Sequence, residues 1–182
     1  FDGVTNGIDA TLDSALRDGA VHYIAIMPGS AAAGTWGREG TYKSSGEVRS
    51  GAVGGGVILE SNHEGAGTIV RANMLENSSK TGTGAGTGRS IGATSSPAVT
   101  VVTARIITDN FSSLTFDIQD SDDNGSGDAY ADVSGLDFNM GGVVGVQRKS
   151  ITATTKLWKR VNIDAFAGTS ALLVVTIGNA PS

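Results

Sequence analysis

With 182 residues, of which 39% are hydrophobic and 17% charged, the chain is too apolar for a disordered segment and suits one large or two small globular units. Its formal net charge of -5 argues against a surface built to hold nucleic acid, and the absence of cysteine removes disulfides, thiolate zinc sites and cysteine nucleophiles together. Aromatic residues make up only 5% while glycine occurs 27 times, so the core must be thin and drawn from Val, Ile, Leu and Ala.

The sequence opens on Phe1 rather than Met, which reads as a start inside a longer gene product. Val4, Ile8, Leu12 and Leu16 recur every fourth residue and predict one amphipathic helix over about 5–18, capped by Asp2 or Thr5 and closed by Gly19. Val21 to Met27 follows as a buried strand that stops at the turn pair Pro28-Gly29. Ser30 to Gly40 is small and polar apart from Trp36, and reads as a surface loop with one aromatic anchor. Strands are expected again at Gly40 to Arg49, Val53 to Ser61 and Thr68 to Leu75, the middle one weakened by Gly54-Gly55-Gly56.

Serine, threonine and glycine dominate 78–97, and Thr81 to Gly88 is low in complexity, so a linker or arm is expected there between a domain at 1–77 and another at 98–182. Beyond it, short alternating segments predict an all-β sandwich with strands at Ala98 to Thr108, Ser113 to Gln119, Tyr130 to Leu136 and Val143 to Ala153. Two further strands, Leu157 to Ile163 and Ala171 to Gly178, are expected to form a hairpin-like closing unit joined through Ala165-Phe166-Ala167-Gly168. In its first strand Leu157, Lys159, Val161 and Ile163 share one face, and Trp158, Arg160 and Asn162 share the other. No run approaches the length of a membrane span, and no signal peptide is evident, so no membrane partner is expected.

Asp120-Ser121-Asp122-Asp123-Asn124-Gly125 matches the opening of a calcium loop, in which alternating oxygens surround a hard cation. The position that needs a bidentate Glu is Ala131, and the flanks read as strands, so a solvated hairpin turn competes with calcium binding by Asp120, Asp122, Asn124 and Asp128, with Asp132 as a further oxygen donor. Gly82 to Gly88 lacks the following Lys-Ser or Lys-Thr of a phosphate loop. The two histidines, His22 and His63, stand without a Gly-x-Ser-x-Gly elbow, and no catalytic residue is assigned. Arg148-Lys149 and Lys156 to Arg160 are the basic clusters; alternation spreads them over both faces, which suits rim ion pairs better than a DNA-binding stripe.

The order of these features carries a resemblance. A helix preceded by Phe1-Asp2-Gly3, a strand ending in Met27-Pro28-Gly29-Ser30, strands through Glu60, the Thr/Gly-rich linker, then Leu114 to Asp123 and Trp158 to Ile163, together resemble the tail tube (major tail) proteins of tailed bacteriophages. The resemblance implies a mainly β, tail-tube-like sandwich or barrel with one flanking helix, opening strands upstream of Phe1, and an added C-terminal sandwich. It also implies a virion location and partners in kind: identical copies forming stacked sixfold rings, other virion tail proteins, and DNA passing through the bore without specific binding. No cofactor is required by that reading; calcium belongs to the loop alternative alone. A virion decoration or surface-binding sandwich is the second class the sequence allows, and a calcium-dependent binding domain the third.

Overall fold

The computed structural model describes residues 21–26, 32–50, 58–65, 70–95, 98–142 and 144–180. The protein is mainly β, and no helix lies among the described residues. The helix expected at 5–18 and the turn at Pro28-Gly29 fall outside them.

The chain divides into two compact units, one of Phe1–Ala25 with Glu39–Ile69 and one of Ile26–Arg38 with Val70–Ser182. Residues 78–97 lie within the second of these units. The first strand, β1, is Val21–Ile26, where a buried strand is expected from the apolar run. β2 (Trp36–Ser50) and β3 (Ile58–Gly65) pair antiparallel from Tyr42 opposite Gly65 to Ser50 opposite Ile58. Trp36 stands at the start of β2, so the expected loop ends earlier than its composition suggests; Arg71 lies 4.7 Å over its ring.

The second unit is organised by two strands of 23 residues each, β7 (Val99–Ser121) and β10 (Trp158–Ala180). They pair antiparallel along their whole length, from Trp158 opposite Ser121 to Ala180 opposite Val99. This corrects the expected hairpin: Trp158–Ala180 is one strand with a corner in it, and the two strands expected at 98–108 and 113–119 are likewise one, Val99–Ser121. β4 (Val70–Lys80) pairs with the C-terminal half of β10, β8 (Ala131–Asn139) with the C-terminal half of β7, and β9 (Gly145–Ile151) with the N-terminal half of β7.

Asp137 on β8 is opposite Asp117, and Lys149 on β9 is opposite Val102. Along a straight strand those partners would stand about 50 Å apart at the usual rise per residue. The Lys149 ammonium nevertheless lies 3.2 Å from the Asp137 carboxylate. β7 and β10 must therefore bend together and bring the two halves of the sheet face to face. Where strands pass from one layer to the other, bulges make the corner. The pairing register slips at Ile163/Ala165, Ala167/Gly168, Gly168/Ser170 and Leu172/Leu173, all within that bend.

Between its two halves the folded sheet encloses the larger of two buried clusters, the other being Val70, Ala72 and Val101. Val102, Ala104 and Ile106 from one half of β7 join Leu114, Phe116 and Ile118 from the other, with Leu136 and Phe138 of β8 and Val161, Ile163, Leu173, Val175 and Ile177 of β10. Phe116 and Phe138, directly opposite across β7 and β8, stack with ring centroids 4.8 Å apart and planes 6° from parallel. The period-two pattern thus explains the core without any second layer from elsewhere in sequence.

The segment expected as a linker belongs to this unit. β5 (Gly84–Ala85) and β6 (Arg89–Ser90) pair with β10 at Ile163 and Asn162, and at Lys159 and Trp158. Gly86 N–H donates to Val161 O at 2.7 Å, and Thr94 bridges to Thr155. Residues 84–94 therefore run beside β10 as an interrupted edge strand. Its pairing bonds are made by backbone, so threonine and glycine serve as well as apolar residues there.

Candidate functional site

The acidic turn between β7 and β8 is built by mutual capping. Ser121, fully buried, donates its hydroxyl to Asp128 O at 2.7 Å and accepts Gly125 N–H at 2.8 Å and Asp123 N–H at 3.2 Å. The Asp123 carboxylate accepts the backbone N–H groups of Ser126 at 2.9 Å, Gly127 at 2.6 Å and Asp128 at 3.1 Å. These bonds, led by the one from Asp128, hold the Asp123 carboxyl below the usual range. Asn124 adopts a left-handed backbone, φ 62°, which asparagine tolerates better than most residues.

The four candidate calcium ligands are brought to one end of the sandwich and put to different uses. Asp128 takes Lys156 Nζ on both oxygens at 2.8 Å and Asp122 N–H at 2.8 Å, and its carboxyl is held low, first by the Lys156 bond. Lys156 is raised in return, chiefly by Asp128. Asp120, buried, accepts Lys156 N–H at 2.9 Å. Asn124 Oδ1 accepts the Tyr130 hydroxyl at 2.7 Å, and both atoms sit over Gly88, where a side chain would collide with them. Asp122 supplies its backbone N–H to this network, and Asp132 lies further along β8, accepting Gln119 Nε2 at 2.8 Å. Among the described residues, no group of three or more His, Asp or Glu side chains is placed to hold a metal ion.

The turn is thus a latch: it ties β7 to Lys156 and lays Asn124 and Tyr130 over the 84–90 edge. Ser121→Ala strips three partners at once and is expected to lower stability by about 2 kcal/mol in urea denaturation. Because calcium would have to displace Lys156 from Asp128, the melting temperature is expected to stay the same in millimolar calcium and in chelator; a rise of several degrees with calcium would support the ligand reading.

Lys159 departs furthest from expectation. It shares the core face with Val161 and Ile163, as alternation requires, but it is 1% exposed and does not reach the rim. Its ammonium donates to Gly92 O at 2.7 Å and to Lys156 O, directly across the ladder from Asp120. It therefore ties the edge segment and the turn before β10 to the sheet. Burial pushes its pKa down to about 8, with Asp120 opposing. Between about 8 and the unfolded value of 10.5 the unfolded chain keeps a proton that the folded one has lost, so this residue makes stability rise with pH across that window. Lys159→Met should abolish that rise. At neutral pH it should also cost about 2 kcal/mol by leaving the Gly92 and Lys156 carbonyls without a donor, as chemical denaturation at pH 7 and across pH 8 to 10 would show.

The outward face of the other half-sheet carries rows of polar side chains. Arg160, Gln119 and Asp132 form one row across β10, β7 and β8, and Asn162, Asp117 and Asp137 form the next. Arg160 Nε donates to Gln119 Oε1 at 2.8 Å and its guanidinium lies 4.0 Å over the Tyr130 ring. Burial, then the neighbouring Asp164 and the carboxylates of Asp132 and Asp137, raise the Asp117 pKa to about 6. The sequence contains no signal for this pair, because its members are 47 positions apart and meet only through strand register. An open hollow of about 400 Å³ at the corner is lined by Asn110, Phe111, Ser112, Gly168 and Thr169, none of which titrates. His22 and His63 fall on β1 and β3.

Comparison with known proteins assigns the chain to no family: no family model, no curated protein and no solved structure matches it.

Proposed function

We propose that the chain is a structural subunit of a self-assembling tube of the tailed-phage type, its sheet edges completed by identical copies and its bore acidic enough to let DNA slide. The observation that carries this reading is the state of the strand edges. Among the described strands β8 and β9 hydrogen-bond to β7 alone, so each offers its other edge to a further strand. Open edges are an aggregation hazard in a monomer and an assembly device in a ring, where each copy closes the next.

The buried polar side chains support a structural role. Lys159, Ser121 and Asp120 serve neighbouring backbone, and Thr94, Thr100 and Thr155 serve one another across hydroxyl contacts of 3.1 and 2.5 Å. The net charge of -5 and the carboxylates of Asp117, Asp132, Asp137 and Asp164 give the repulsion a DNA conduit requires. In this reading the other partners are tail proteins of the same virion.

A decoration module on a virion surface is the second reading, favoured by the flat hydrated face of Arg160, Gln119, Asp132, Asn162, Asp117 and Asp137. Sedimentation velocity separates the two. A tube subunit gives sixfold rings or larger stacks as concentration rises, whereas monomers or trimers at every concentration favour decoration.

A further inference from the structure

We propose that Asn124-Gly125 is a latent deamidation site: the folded turn holds the pair inert, and opening of the turn exposes it to irreversible conversion into aspartate or isoaspartate. The inference is independent of the tube reading.

The turn itself selects this dipeptide. Asn124 at φ 62° and Gly125 at φ 81° stand in succession in the left-handed region, where glycine is unstrained and asparagine is tolerated better than most residues. The same pair is a chemical liability, because glycine places no side chain beside its own nitrogen and leaves it able to attack the carboxamide before it. Both residues are exposed, so water reaches them.

The reaction joins two atoms of the pair. Gly125 N loses its proton to a solvent base and bonds to Asn124 Cγ; the Cγ–Nδ2 bond then breaks, and ammonia leaves with a proton taken from water. Water opens the resulting succinimide at either carbonyl, giving aspartate or isoaspartate. Nothing is oxidised or reduced.

The folded turn engages both partners. Gly125 N–H donates to Ser121 Oγ at 2.8 Å, and Ser121 is buried with its own proton given to Asp128 O at 2.7 Å, so the amide proton faces a neutral hydroxyl in place of a solvent base. Asn124 Oδ1 accepts the Tyr130 hydroxyl at 2.7 Å, and the Arg160 guanidinium lies 4.0 Å over the Tyr130 ring. The carboxamide oxygen is thereby fixed above Gly88. A donor on that oxygen also polarises the carbonyl, so removing the Tyr130 hydroxyl distinguishes restraint from activation.

Refolding cannot undo the conversion. Either product places a further carboxylate in a turn that already holds Asp120, Asp122, Asp123 and Asp128, and isoaspartate also adds a methylene to the backbone between Ser121 and its Gly125 partner. A turn that has opened and reacted therefore closes on a weaker latch.

Peptide-resolved mass spectrometry of the full chain, held at pH 8 and 37 °C in buffer and in denaturing guanidinium chloride, tests this. Peptide resolution keeps Asn124 apart from the other Asn-Gly pair, Asn6-Gly7. Because only the opened turn reacts, Asn124 is expected to convert at least about tenfold more slowly in buffer than in denaturant. Tyr130→Phe and Ser121→Ala are each expected to raise the rate in buffer severalfold and to leave the rate in denaturant unchanged. Equal wild-type rates in the two solutions, or a Tyr130→Phe rate in buffer at or below that of wild type, would overturn the proposal. If Ser121→Ala fails to fold, Tyr130→Phe, which keeps the ring beside Arg160, decides alone.

Discussion

Gly168→Val is expected to cost at least 4 kcal/mol, which for a domain of ordinary stability leaves a large unfolded population at 37 °C. The residue sits at φ 141°, a region that L side chains rarely adopt. A Cβ there would also meet Phe111 Cα, Asn110 O at 2.7 Å and Phe111 Cβ at 2.8 Å. Those atoms belong to the opposite strand at the point where the register slips on both sides of Gly168, so they have no free rotamer through which to withdraw. Relief would require the corner to open, and the corner is what brings the two half-sheets together. Circular dichroism with urea titration reads the loss directly. A Gly168→Val variant as stable as wild type would mean that β7 and β10 do not cross the bend in this way.

The second large effect is expected at Phe116. It has no exposed surface, stacks on Phe138 and belongs to a core cluster drawn from both half-sheets. Phe116→Ala removes a ring from a close-packed interior and should cost about 4 kcal/mol from transfer and cavity terms together, with about 1 kcal/mol of that from the aromatic pair. Phe116→Leu keeps most of the volume and should cost less than half as much. Trp36 gives the contrast. It is as large but 50% exposed, with Arg71 over its ring, so Trp36→Ala should change stability by about 1 kcal/mol. Equilibrium denaturation of the three variants ranks them.

Much of the sandwich is legible in sequence because its core follows period two. Leu114, Phe116 and Ile118, and likewise Val161 and Ile163, announce their inward face by alternation alone. The corner is hidden for a physical reason: Ala165-Phe166-Ala167-Gly168-Thr169 has the small residues and glycine of a hairpin connection, and only pairing with 109–115 reveals that the ladder continues through it. The 78–97 segment is hidden likewise. The bonds that pair 84–86 and 89–94 with the neighbouring chain are made by backbone, which leaves no apolar stripe in the threonines and glycines to betray a strand.

The site residues divide along the same line. Turn chemistry at Asp120 to Gly125 is readable, since Asp, Asn, Ser and Gly are the residues that satisfy their own loop backbone. Which carboxylate does what is not: Asp123 gathers loop N–H groups while Asp128 goes to Lys156, a residue 28 positions away. Lys159 falls on the core face by alternation, yet its charge argues for the rim until Gly92 O and Lys156 O are known to receive it.

Electron micrographs of the purified full-length protein, negatively stained across a range of concentrations, address the assembly reading most directly. Hollow tubes or stacked rings with sixfold end views are expected from copies that complete one another's open edges. Uniformly dispersed small particles at every concentration would contradict it and leave the protein as a self-contained sandwich.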